Sequence, residues 1–159
     1  MVDPSYSSTP IGWREWVNLP SIGIPWVKAK IDTGAQTSAL HATGIEEFER
    51  DGAPWVRFLA HPWQRADSDE VAVELPIHDR RIVRSSSGHA QERPVVLIDI
   101  KIAGRTVPAE VTLTDREEMV FRMLIGREAL RRGYLVDSAS SFLGGKPKRA
   151  IRRRNRGRE

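Results

Sequence analysis

The sequence contains no cysteine, which excludes disulfide staples, thiolate zinc sites, iron–sulfur clusters and a cysteine nucleophile together. It also lacks any apolar run approaching the roughly 20 residues that cross a bilayer, so no membrane partner is expected. His41, His61, His78 and His89 are scattered, without the His-Glu-x-x-His spacing that sets two imidazoles on one helical face, so no metal site is expected. A phosphate-binding loop is missing too: Leu143-Gly144-Gly145-Lys146 has neither the first glycine nor the closing hydroxyl residue of that motif. No nucleotide-binding motif is therefore present, and the expected cofactor list is empty. Met1 to Pro10 carries Asp3 and no apolar signal core, which gives a cytoplasmic location as the expectation.

What is present is a chain of 159 residues and 18.0 kDa, 40% hydrophobic and 29% charged, of a size and balance that suit one globular domain. Its net charge of +4 is unevenly spread. Gly144 to Glu159 holds eight of the 25 basic residues and one of the 21 acidic ones, so the tail is +7 and the rest of the chain −3. With Ile151 its only large apolar side chain, the segment 144–159 is expected to be a disordered basic tail that contacts RNA, the ribosome or an acidic protein. Residues 1–10, with Pro4 and Pro10 among hydroxyl residues, are expected to be a flexible arm. That leaves 11–143 as the folded domain.

Within it, short strands alternate with turns. Val27, Ala29 and Ile31 alternate with Lys28 and Lys30; Val71, Val73 and Leu75 alternate with Ala72 and Glu74; Val95 to Ile102 and Val107 to Leu113 are rich in β-branched residues. Asp51-Gly52 and Ala103-Gly104 read as hairpin turns. The best helix is short, Arg127 to Arg132, closed by Gly133. The spacing predicts a mainly β, largely antiparallel small closed barrel with one short C-terminal helix.

The chemistry concentrates after the strand Trp26 to Ile31, where Asp32-Thr33-Gly34-Ala35 places a carboxylate in a glycine-containing turn within reach of backbone N–H groups. About ninety residues later Met123-Leu124-Ile125-Gly126-Arg127 brings an apolar triplet and a glycine directly into the short helix. Together these segments resemble the retroviral-type aspartic peptidases. With VRSSSGHAQERPVVL and VTLTDREEM, the wording from about Gly12 to Leu143 is similar to a bacterial retropepsin-like (RimB-like) family. Its members are often labelled ATP-dependent zinc proteases and associated with the RimK glutamate ligase.

The resemblance implies roles for individual residues. Asp32 would be the catalytic carboxylate, Thr33 would hydrogen-bond across to the partner's loop, and Gly34 would let the two loops approach. Leu124, Ile125, Gly126 and Arg127 would support the loop from beneath. Val83 to Val95 would form a flap, with Arg84, Ser85, Ser86, Ser87 and Gly88 at its end and Ala35 on the loop side contacting substrate. Arg80, Arg81, Arg84 and Arg93 around that flap would favour acidic peptides. Gln36 stands where viral members commonly carry an acid that pairs with the following arginine, and the +7 tail replaces their apolar terminal strands. One Asp-Thr-Gly can supply one carboxylate, while the chemistry needs two, so a homodimer contributing Asp32 from each subunit is expected.

The function implied is aspartic endopeptidase cleavage of peptide or protein substrates, acidic or glutamate-rich ones included. A non-catalytic acid-protease-like module regulating a RimK-type glutamate-ligase or ribosome-associated system is the alternative. An RNA-binding module centred on the tail is a third reading. Trp13, Trp16, Trp26, Trp55 and Trp63 are expected as core or interface aromatics, and Asp115-Arg116 as a turn.

Overall fold

The computed structural model describes residues 8–66, 68–84, 88–115 and 120–157. The proposed flap tip Ser85, Ser86 and Ser87, the first seven residues, and Arg116 lie outside them.

Alternation along the chain sets the strands. In β3 (Ile24–Ile31) Val27, Ala29 and Ile31 are buried while Lys28 and Lys30 face away. The same period of two appears in the long β8 (Ala90–Ile102), where Val96, Ile98, Ile100 and Ile102 are buried and Leu97, Asp99 and Lys101 are exposed. β9 (Arg105–Thr114) buries Val107, Ala109, Val111 and Leu113. The turn between β8 and β9 has positive φ at both Ala103 (52°) and Gly104 (82°), and Asp51 (53°) with Gly52 (78°) repeats this between β4 (Ser38–Arg50) and β5 (Ala53–Ala60). Positive φ at both central residues gives the twist that matches a tight hairpin. The two turns read from sequence therefore sit where they were expected.

The strands close on themselves. β10 (Met123–Ile125) pairs in parallel with β3 and antiparallel with β4, and the circuit continues through β2 (Arg14–Leu19), β8 and β9 back to β4. Between β2 and β8 the link is the single pair Asn18 and Lys101, so the ring is not a clean barrel. β5 and β6 (Val71–Pro76) extend from β4, and β7 (Asp79–Arg84) folds onto β8. The mainly β expectation holds.

Both ends of the chain differ from expectation. Thr9 and Pro10, assigned to a loose arm, lie in β1 (Thr9–Ile11), which pairs in parallel with β11 (Tyr134–Val136). Among the described residues the single expected α-helix becomes two: α1 (Arg127–Leu130), and α2 (Arg149–Asn155) within the segment expected to lack structure. α2 is docked by its buried Asn155, whose side-chain oxygen accepts the Gln64 N–H at 2.9 Å and whose amide donates to Gln64 Oε1 at 2.7 Å. Glu15 ties the two ends together. Its fully buried carboxylate accepts the N–H groups of Gly12 (2.7 Å), Leu143 (2.8 Å) and Gly144 (2.9 Å), satisfying a charge that would otherwise be costly to bury. Among the described residues no helix is long and apolar enough to cross a membrane.

Candidate active site

Asp32 owes its position to β3. The register between β3 and β10 places Ile31 beside Ile125, and the Asp32 N–H, one residue on, donates to the Ile125 carbonyl at 2.9 Å. The chain then turns back: the Ala35 N–H donates to the Asp32 carbonyl at 3.2 Å, and the Gly34 N–H donates to Asp32 Oδ1 at 2.9 Å. A half-buried carboxylate is thus aimed by its own loop.

The second apolar-glycine segment crosses beneath this loop. Arg127 N–H donates to the Ala35 carbonyl at 2.8 Å and Glu128 N–H to the Gln36 carbonyl at 3.0 Å, while Gly126 N–H donates to Ser38 Oγ at 3.0 Å. A Cβ on Gly126 would lie 2.8 Å from the Thr37 carbonyl group and 2.9 Å from the Ala35 oxygen. Only glycine fits that crossing. Arg127 finds a use without an acid at position 36, because its Nη1 donates to the carbonyl oxygens of Thr33 (3.2 Å) and Gly34 (3.0 Å). The first turn of α1 thereby grips the Asp-Thr-Gly loop through backbone and side chain together.

Above the loop lies a cleft of about 1130 Å³. It is lined by Asp32, Ala35, Gln36, Thr37 and Leu124 of the loop region, by Ile82, Val83, Arg84 and Arg93 of the β7–β8 hairpin, and by Trp13, Val120 and Phe121. Among these described lining residues Asp32 is the one carboxylate, against Lys30, Arg81, Arg84 and Arg93. Arg81 joins hairpin to loop: it donates to Thr37 Oγ1 at 3.2 Å and ion-pairs with Glu110 and with Asp79. Desolvation alone would lower its pKa, yet the Glu110 and Asp79 carboxylates raise it, so this cation stays charged.

The named residues therefore separate into groups. Asp32, Ala35, Arg84 and Leu124 meet in the cleft; Ile125, Gly126 and Arg127 lie beneath or behind the loop; Thr33 and Gly34 are exposed on it; Gly88 is exposed at the hairpin end. Lys30 is a charged cleft residue not read from sequence, and it had a signal: two residues before Asp32, it shares that residue's face of the extended chain. Arg81 was expected near substrate, but its tie to Thr37 was not read. Elsewhere, His41 and His61 pack with ring centroids 5.4 Å apart, and His61 Nε2 lies 2.6 Å from Thr43 Oγ1. Among the described residues, no group of three or more His, Cys, Asp or Glu is placed to hold a metal ion.

Over residues 10–147 the sequence matches the RimB-like family, described as the retropepsin-like aspartic endopeptidase RimB. The chain belongs to this family. The resemblance read from Asp32-Thr33-Gly34 and Leu124-Ile125-Gly126 is thereby established. RimB-like sequence also occurs within longer proteins. A probable alpha-L-glutamate ligase of Shewanella pealeana is 42% identical over 132 residues, covering 83% of this chain and 29% of the relative. One from Desulfotalea psychrophila is 41% identical over 129 residues, covering 81% and 28%. The chain spans less than a third of the length of these curated relatives. Among solved structures, a Legionella pneumophila protein with unknown function is similar, with a TM-score of 0.72 at 29% identity, covering 87% of this chain and 99% of that one.

Proposed function

We propose that this chain is an aspartic endopeptidase in which two copies each contribute Asp32 to one active site, cleaving acidic peptide or protein segments. The observation that carries the reading is the aimed Asp32 carboxylate at the floor of an open cleft. Two such carboxylates a few ångströms apart share one proton. The ionised one takes a proton from water as the water oxygen attacks the peptide carbonyl, and the protonated one donates to the carbonyl oxygen. Collapse of the resulting diol, with a proton passed to the amide nitrogen, breaks the C–N bond. Among the described lining residues one copy supplies a single acid, Asp32, and the chain has a single Asp-Thr-Gly, which is the reason for the second copy. Acidic substrate is favoured because Lys30 and Arg84 flank Asp32 in that cleft.

A second reading has its own support. The probable glutamate ligases carry a region like this chain as under a third of their length, which suits a non-catalytic module serving a ligase.

Purified protein incubated with neutral and glutamate-rich peptides, followed by mass spectrometry, separates the two. Cleavage by the native chain, persisting in chelator and lost in Asp32→Asn with unchanged circular dichroism, is the result expected. Absence of cleavage across the peptide set, or equal turnover by Asp32→Asn, would favour the binding module.

A further inference from the structure

Helix α2 and its C-cap Arg156 place Arg149, Arg152, Arg153 and Arg156 at spacings of three and four residues, so they form one stripe. They line a groove of about 380 Å³ made of these arginines alone. The stripe continues onto the barrel wall. A small recess joins Arg152 and Arg156 to Lys28 of β3 and Lys146 over Trp16 and Phe142, where Lys28 Nζ and Lys146 Nζ lie 5.3 Å and 5.2 Å from the Phe142 ring centroid. Among the described residues no carboxylate ion-pairs with Lys28, Lys146, Arg149, Arg152 or Arg156, and the buried Nε of Arg152 has no hydrogen-bond partner.

We infer that this face binds the phosphodiester backbone of a nucleic acid, with no reading of bases. Packing so many unneutralised cations together is unfavourable without a counter-anion. Lys28 registers the cost: burial first, then the charges of Arg14, Arg156 and Lys146, lower its pKa. An anion that enters both groove and recess relieves that repulsion and gives Arg152 Nε an acceptor.

Charge density favours phosphates over carboxylates. Arg149, Arg152 and Arg156, three charges over about 10.5 Å, amount to one per roughly 3.5 Å, close to the roughly 3.4 Å of one strand. An extended acidic peptide alternates its side chains and offers one carboxylate per roughly 6.7 Å on a face. Guanidinium groups also match phosphate oxygens two at a time. This site is separate from the Asp32 chemistry, and its readout needs no peptidase activity.

The test uses the full chain and a fluorescein-labelled oligouridylate of about 20 nucleotides, with anisotropy followed across a salt series. The expected result is tight binding at low salt, with log affinity falling linearly against log salt by about 0.7 per phosphate neutralised on a single strand. Combined Arg149→Gln, Arg152→Gln and Arg156→Gln should weaken binding at least tenfold near 100 mM salt and lower the slope by about 2. Lys28→Met, outside the helix and preserving the packed stem, should lower it by about 0.7. Oligothymidylate should bind equally well. A native affinity no greater than that of both variants would overturn the inference. So would a strong preference for uridylate over thymidylate, or displacement of the RNA by poly-L-glutamate at lower charge concentration than by unlabelled oligouridylate; the last result would assign the face to an acidic protein.

Discussion

Around Asp32, peptide groups from two stretches of chain are bonded to one another at three points: Asp32 to Ile125, Ala35 to Arg127, Gln36 to Glu128. Around α2 Asn155 holds Gln64 and the Arg65 N–H, and Arg154 pairs with Asp69 at 3.8 Å. The helix has no side-chain N-cap and no acid in its first turn, and three arginines crowd its last. The first region is positioned by backbone geometry, the second by side-chain contacts centred on Asn155, under charge repulsion. Geometry that must be accurate to fractions of an ångström suits peptide-bond chemistry. A cationic stripe tolerates small displacement, because attraction to a polyanion is long-ranged and non-directional.

The same substitution made in the two regions should have unequal effects. Gly126→Ala forces a Cβ to within 2.8 Å of the Thr37 carbonyl, so we expect a loss of about 2–3 kcal/mol or failure to fold. Gly145→Ala meets open space and carries only the strain of a φ of 97°, so it should cost about 1 kcal/mol. Urea unfolding of both variants measures the contrast. Equal losses would mean that the loop crossing is not the tight point described.

Asn155→Ala tests whether α2 has an anchor. Removing its side chain leaves the Gln64 backbone N–H and Oε1 without the partner shown, at about 1–3 kcal/mol. That loss should fall locally: limited proteolysis should cut near Arg149 to Arg156 far faster, while the melting of the barrel moves by a few degrees at most. A barrel melting shift as large as that of Gly126→Ala would make the tail part of the core.

What could be read in the sequence follows the same division. β3, the two tight turns and the pair Asp32-Thr33-Gly34 and Ile125-Gly126 were legible because each signal is local: a period of two, a turn dipeptide, a glycine where backbones meet. The pairing of β1 with β11 was not, since a parallel contact between Thr9 and Tyr134 leaves no local pattern. α2 was missed for a related reason. Composition alone makes Arg149 to Arg158 a self-repelling tail, and the docking of Asn155 against Gln64 is a tertiary contact that composition does not register. Arg127 was read through the acid absent at position 36, whereas it uses two backbone carbonyls instead.

The smallest expected effect is on pH dependence. Burial first, then the charges of Arg122 and His61, lower the pKa of His41, outweighing Asp115 and the Thr114 backbone hydrogen bond. A histidine with a depressed folded pKa is neutral in both states at high pH, and as pH falls through about 6.5 the unfolded chain takes up the proton first. Stability should therefore decline below about pH 6.5, by a few degrees in melting temperature down to pH 5. His41→Asn, lower in overall stability, should show a flatter profile; an unchanged profile would assign the decline to other groups.

The central claim, that two Asp32 carboxylates from two copies make one active site, is tested most directly by mixing. Native chain and Asp32→Asn chain, denatured together and refolded at varied ratios and constant total concentration, form native, mixed and variant pairs in binomial proportion. If both carboxylates are required, activity follows the square of the native fraction and an equal mixture retains about a quarter. A linear fall, with about half remaining at equal mixture, would show that each copy works with its own single Asp32 and contradict the account.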